Sequence, residues 1–439
     1  MKQTFFAQSM RIAAPVALQA MLQSSFSMMD QVMVGQLGTA QVAAVEIGSK
    51  PGFVFSFVSG AVATVAGIMI SQYMGKKDED AVAGSVSVNL CAMLLLALLT
   101  SMLCLVMPDR LAAVYTGDPA AAAQAAAYIR LIAPAFPLSG LTSVLAVEIR
   151  CRDRAAWPLY VSGASALVNT LLNWLLIFGR GGLPALGVRG AALASVIAQA
   201  IGLVLMICAY RRICPFHFDP RIGKSAFRQY LVMLLPIVAN EFLWTVGQNI
   251  NTYIYGHMGT ESLAGMALTG PVQGLFIGLL SGLSQAAGIL VGKRLGEGAY
   301  EHAYHESKKL CLYGLAGSLA LSCLLIGLRR AYVGLYRVTP AVRDTGALLL
   351  LIFALLAPIK VQNMILGGGI IRSGGKTRYI MIIDMLGTWL VGVPLGLITG
   401  LRLKLPIGWV YFILSQEELF RLALSAFMFR SQKWLHTLA

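Results

Sequence analysis

Apolar residues run in long stretches along the whole chain, broken by short turns rich in glycine, proline and charge. A helix needs about 20 mostly apolar residues to cross a bilayer. Turns and charge clusters divide the chain into twelve such stretches, at 10–35, 42–74, 82–107, 124–149, 156–178, 190–210, 230–256, 262–292, 306–328, 346–371, 379–400 and 407–430. The longer ones must tilt or protrude. The first stretch leads into Asp30 and a glycine turn, with no small-residue cleavage site, and reads as a retained helix. The pattern predicts an all-α polytopic membrane protein: twelve transmembrane helices in two six-helix lobes, with no large soluble domain.

The longest polar segment, 211–229, falls at the midpoint and separates six spans from six. The expected lobes are 1–215 and 216–439. A shift of 221 residues lays the first two spans on the seventh and eighth. Pro15 meets Pro236, Leu22 meets Leu243, and Gly35 meets Gly256. Gly38-Thr39 meets Gly259-Thr260, Ala43 meets Ala264, and Phe55 meets Phe276. Ala66-Gly67-Ile68 meets Ala287-Gly288-Ile289, and Gly75 meets Gly296. Asp30 falls on Asn251. Six spans return the chain to its starting side. The lobes are therefore expected to be parallel repeats about an axis along the membrane normal. Transporters built on that plan bind substrate between the repeats near mid-membrane.

Composition narrows the class. The chain has 439 residues, 57% of them hydrophobic and only 12% charged. Soluble domains carry about 25% charged residues, so a water-soluble fold and a disordered chain are both excluded. The formal charge of +15 does not point to nucleic acid, because the basic residues form short clusters between apolar runs instead of a stripe. With both termini in the cytoplasm these clusters favour the inner side by about two to one, the positive-inside bias of a plasma-membrane protein. The seven cysteines are scattered without metal-like spacing and read as small apolar filler.

Ionisable groups inside a span are costly and mark functional sites. Asp30 lies within the first span, where a carboxylate must pair, bind a cation or take a proton. Glu241 follows Pro236 in the seventh span, with Trp244 and Gln248 at i+3 and i+7 on one helical face. Together they suit an aromatic cation. Asp384 lies in the eleventh span, and Lys360 in the tenth is placed to neutralise a carboxylate of the same half, such as Glu241 or Asp384, or to snorkel. Asn169 and Asn173, one turn apart in the fifth span, and Ser195 in the sixth offer oxygens to Na⁺ or hydrogen bonds between helices. Glu46 and Lys50 are spaced for an ion pair. The five histidines form no catalytic motif, and GGKT at 374–377 lacks Walker A spacing. Neither enzymatic activity nor a cofactor is expected.

These features resemble the multidrug and toxic-compound extrusion (MATE) transporters over essentially the whole chain. The resemblance is carried by Pro15, Asp30, Gly35, Gly38 and Thr39, by their echo from Pro236 to Thr260, and by NTLLNWLLIFG at 169–179. GVRGAALASVIAQ at 187–199, AAGILVGKRLGEG at 286–298 and GGGIIRSGGKT at 367–377 are also similar. It implies two six-helix lobes and alternating access, in which Na⁺ or H⁺ enters while an organic cation or other amphipathic drug leaves. Asp30, Asn169 and Ser195 match its first-lobe cation site, with Na⁺ at Asp30 and Asn169 as one reading. Three positions depart from the family pattern. Asn173 stands where some members have Asp, Lys376 replaces a usual Asp, and Lys360 and Val361 occupy the region of a tenth-helix Asp. Glu241 lies about one turn from the seventh-helix Glu of sodium-coupled members. The expected function is a monomeric antiporter that draws on Glu241, Trp244, Gln248 and Asp384 in its second lobe. The alternative is a flippase for lipid-linked saccharides of similar plan.

Overall fold

The computed structural model describes residues 4–214 and 224–438. Lys2, Arg221 and the expected lobe boundary at 215/216 lie outside them. The described residues contain no strand. The first half of the chain forms α1 (Phe5–Gly35), α2 (Thr39–Gly75), α3 (Glu79–Val106), α4 (Pro108–Ala113), α5 (Pro119–Ile132), α6 (Ala135–Cys151), α7 (Ala156–Phe178) and α8 (Val188–Ile213). The second half forms α9 (Lys224–His257), α10 (Thr260–Gly296), α11 (Tyr300–Gly334), α12 (Pro340–Asn363), α13 (Thr377–Met385), α14 (Val393–Leu397), α15 (Ile407–Leu414) and α16 (Gln416–Arg430). Three π-helical segments, Met364–Ile371, Leu386–Gly392 and Ile398–Arg402, extend or interrupt its spans.

These elements make up the twelve spans. Among the described residues nine are long and apolar enough to cross a membrane singly, and α5 with α6, bent by 45°, makes a tenth. The first span, α1, and the last, α15 with α16, complete the set, and both carry charged residues within their length. On α3 the side chains of Leu95, Leu98, Leu99 and Met102 are more than half exposed, while Val86, Asn89, Met93, Ala97 and Ser101 on the other face are buried. The exposed positions follow helical spacing, as a lipid-facing stripe should.

The repeat read from the sequence recurs in the backbone. Gly38 has φ +108° and Gly259, its partner under the 221-residue shift, has φ +114°. Side chains strain that conformation, so glycine serves at both turns.

The chain forms two compact units. One consists of Leu18–Ile70 and Asp78–Arg228. There α7 packs on α8, and α6 on both α3 and α8, burying Leu145, Ile149, Val161 and Met206. The other consists of Met1–Ala17, Ser71–Lys77 and Gln229–Ala439. There α11 and α10 pack on α12, and Ile254, Leu349, Val410 and Leu414 form a core cluster.

Within this second unit the C-terminal ends of α2 and α10 cross on glycine. A methyl group on Gly75 would overlap the Lys293 carbonyl, and one on Gly296 would overlap the Gln72 carbonyl. The 221-residue shift pairs Gly75 with Gly296 and Gln72 with Lys293, so each helix meets the other through the same two positions. Glycine permits this closeness. Buried Gln72 donates to the Ser373 carbonyl at 2.5 Å and accepts from the Leu438 N–H at 2.7 Å. Gly296→Ala is expected to cost about 1–3 kcal/mol by overpacking. Gly270→Ala, where an added Cβ meets open space in the same helix, is expected to be neutral or stabilising. Thermal unfolding of the two purified variants checks the contrast, and equal melting temperatures would contradict it.

Candidate functional site

Each unit encloses a polar cavity. The first, of about 430 Å³, is lined by Asp30 from α1, Asn169 from α7 and Ser195 from α8, among others. Asp30 accepts a hydrogen bond from Asn173 Nδ2 at 2.8 Å. The Asn169 amide satisfies its neighbours when its nitrogen faces the Asp30 carboxylate at 3.1 Å and its oxygen accepts from Ser195 Oγ at 3.3 Å. The four residues read from the sequence therefore come together. Asn169 and Asn173 reach one carboxylate because they lie one helical turn apart.

Asp30 is the acidic residue of this lining and Arg150 the basic one. Arg150 donates to Gln19 Oε1 at 3.0 Å, and Gln19 Nε2 donates to Ser162 Oγ at 2.7 Å. By sequence Arg150 directly follows the apolar stretch 124–149, in one of the basic clusters expected on the inner side, and Gln19 carries no signal of its own. Arg150 is instead the next-to-last residue of α6 and reaches into the cavity. Nearby Glu148, also overlooked, is buried and paired. It takes Arg152 at 3.0 Å and the Tyr210 hydroxyl at 2.5 Å.

The second cavity, of about 270 Å³, is lined by Asn240, Glu241, Trp244, Lys360, Arg372, Asp384, Glu418 and Arg421, among others. Glu241 and Asp384 thus share one cavity. Gln248 is not among its lining residues. It lies two turns along α9 from Glu241, about 10 Å at 1.5 Å per residue, and sharing a face does not bring it to the same depth. Asp384 accepts from Arg421 Nε and from Asn240 Nδ2, each at 2.9 Å. Lys360 approaches a carboxylate of its own half, but it is Glu418 and neither Glu241 nor Asp384. Its Nζ lies 3.9 Å from Glu418 Oε1. Asn363 Nδ2 donates to Glu418 Oε2 at 2.8 Å, and Arg421 reaches the same oxygen at 3.6 Å.

The acidic pair Glu417 and Glu418 escaped sequence reading. Both are more than nine-tenths buried. The available signal was the string Gln416-Glu417-Glu418-Leu419-Phe420-Arg421 inside an apolar span, where adjacent glutamates mimic a helix end at an interface. Glu46 and Lys50 form the expected ion pair, at 2.5 Å.

The family model described as MatE matches this chain twice, over residues 15–175 and 236–398. The two matches begin 221 residues apart, the shift already seen in the glycines and prolines. The chain is similar to the probable multidrug resistance protein NorM of Burkholderia pseudomallei, with 29% identity over 414 residues, 89% of this chain and 85% of that protein. It is similar to the uncharacterized transporter YisQ of Bacillus subtilis, with 22% identity over 425 residues, 96% of this chain and 93% of that protein. Its fold is similar to that of the Vibrio cholerae MATE transporter VcmN in the bent form, with a TM-score of 0.88 at 15% identity, covering 98% of both chains.

Proposed function

We propose that this chain, which belongs to the MatE family of multidrug and toxic-compound extrusion transporters, is a secondary antiporter exporting organic cations or other amphipathic compounds in exchange for protons. The carrying observation is Asp30, a carboxylate in a polar cavity that accepts from Asn173 Nδ2 and lies 3.1 Å from the Asn169 amide, whose hydrogen bonds are best satisfied with its nitrogen towards Asp30. Hard cations such as Na⁺ are held by several oxygens. Nitrogens facing one carboxylate suit an acid that gains and loses a proton. Proton entry neutralises Asp30, the first span repacks near Pro15, and the exported cation leaves. Exchange requires that proton and drug favour the two arrangements of the carrier unequally. In the second cavity Trp244 supplies an aromatic face for a cation, and Glu241 supplies charge outside the Asp384–Arg421–Glu418 chain. Both termini face the cytoplasm, on the side favoured by the basic clusters, and the chain works as a monomer.

Ethidium movement in everted membrane vesicles tests this reading. A pH gradient alone is expected to drive uptake, and a Na⁺ gradient alone is not. Failure of both gradients would overturn the export claim and turn attention to lipid-linked saccharides.

A second carboxylate beside Asp30 should change the ion. In Asn173→Asp two carboxylates would stand in hydrogen-bonding reach, and one Na⁺ could bridge them and offset their mutual repulsion. Its melting temperature is expected to rise with NaCl over choline chloride, since a ligand at 100 times its Kd stabilises by about 2.7 kcal/mol. Wild type is expected to respond far less. Equal responses would count against the role given to Asn173.

A further inference from the structure

Glu417 has no place in the scheme above, and its surroundings are unusual. It is 5% exposed, and its Oε2 is buried without a hydrogen-bond partner. That oxygen packs against Gly392, the last residue of the π-helical segment Leu386–Gly392, where an added Cβ would overlap it. Leu386–Gly392 packs on α16, and π-helical turns frequently mark functional sites.

The neighbouring charges leave Glu417 over. Asp384, Glu417 and Glu418 are three acids sharing the charges of Arg421 and Lys360; Tyr255 on α9 lies within electrostatic range of Glu417 and Tyr411 on α15 within that of Glu418. Arg421 is committed to Asp384 at 2.9 Å and to Glu418 at 3.6 Å, and Lys360 leans on Glu418 at 3.9 Å. An ionised carboxylate without a partner is costly inside a membrane. A proton removes that charge and needs no space. A metal ion has none, because the Gly392 backbone abuts the oxygen.

We propose that Glu417 is a proton-binding site of the second half, protonated in this arrangement and emptied when an organic cation occupies the adjoining cavity. The release follows from Arg421. A cation that pairs with Asp384 frees the guanidinium, which lies one turn from Glu417 on the same helix face. Arg421 then pairs with the Glu417 carboxylate, and the proton leaves Oε2 for water in the cavity. The exchange step rests on the antiporter reading; the proton site does not.

Infrared spectroscopy of the purified protein in lipid nanodiscs tests the site. Wild type is expected to show the C=O stretch of a buried protonated carboxyl group, lost in Glu417→Gln and kept in Asp30→Asn. Persistence of the band in Glu417→Gln would overturn the proposal. Should that variant fail to fold, Gly392→Ala presses on the same oxygen, and an unshifted band there would overturn it as well. Adding tetraphenylphosphonium to weakly buffered protein should release one proton fewer per bound cation in Glu417→Gln than in wild type. Equal release would overturn the exchange. Loss of the band together with no tetraphenylphosphonium binding would support the proton site and count against organic-cation export.

Discussion

Arg421→Ala is expected to destabilise the folded protein by about 3–5 kcal/mol, the cost of leaving buried charge uncompensated. The guanidinium is 12% exposed, bonds Asp384 through Nε at 2.9 Å and approaches Glu418 at 3.6 Å. Its removal strips two carboxylates of their common cation and leaves Glu418 with the distant Lys360, at 3.9 Å. Neutralising an acid together with the base should recover part of the loss. Arg421→Met with Asp384→Asn is expected to melt higher than Arg421→Ala, because contacting residues do not contribute additively. Thermal unfolding in detergent checks both. An Arg421→Ala protein as stable as wild type would mean that the ion-pair chain holds nothing together.

Asp30→Asn is expected to fold normally and to lose coupled export. The asparagine side chain has nearly the shape of aspartate, and its amide can meet those of Asn169 and Asn173, so packing around α1 is kept. What disappears is the charge. A hydrogen bond to a charged group is worth about 1.5–3 kcal/mol, which corresponds to roughly ten- to hundredfold in the affinity of a cationic ligand. The proton-binding group disappears as well, so pH-driven ethidium uptake should drop to the level of vesicles lacking the protein. Melting temperature and membrane content, measured beside transport, separate lost function from lost fold. Transport within twofold of wild type would move the site away from Asp30.

The spans and the first cavity were legible because a bilayer imposes strict rules. Long apolar runs separated by charge can satisfy their backbone only as helices. Asp30, Asn169, Asn173 and Ser195 stood out as polar interruptions of apolar spans, and helical spacing put the two asparagines on one face. The repeat was legible because glycine and proline are hard to replace where backbones turn or touch, as at Gly38 and Gly259 or Gly75 and Gly296. The second cavity was legible only in part. Periodicity gave Glu241 and Trp244 a common face, but it does not say how deep a cavity reaches, and Gln248 lies beyond it. The partner of Lys360 was set by tertiary packing: α12 and α16 bring it to Glu418, fifty-eight positions along the chain. Nothing local distinguishes Glu417 and Glu418 from a solvated helix start. The π-helical stretch Leu386–Gly392 that presses on Glu417 carries no sequence signature of its own.

The central claim is that an organic cation and a proton exchange on this chain. Purified protein in liposomes with a pH dye trapped inside tests it most directly. With tetraphenylphosphonium loaded inside and a proton gradient directed inward, wild type is expected to acidify the lumen as the cation leaves. Asp30→Asn should leave the lumen unchanged beyond the leak of empty liposomes. Cation efflux without any movement of protons, with wild type and Asp30→Asn indistinguishable, would contradict the account.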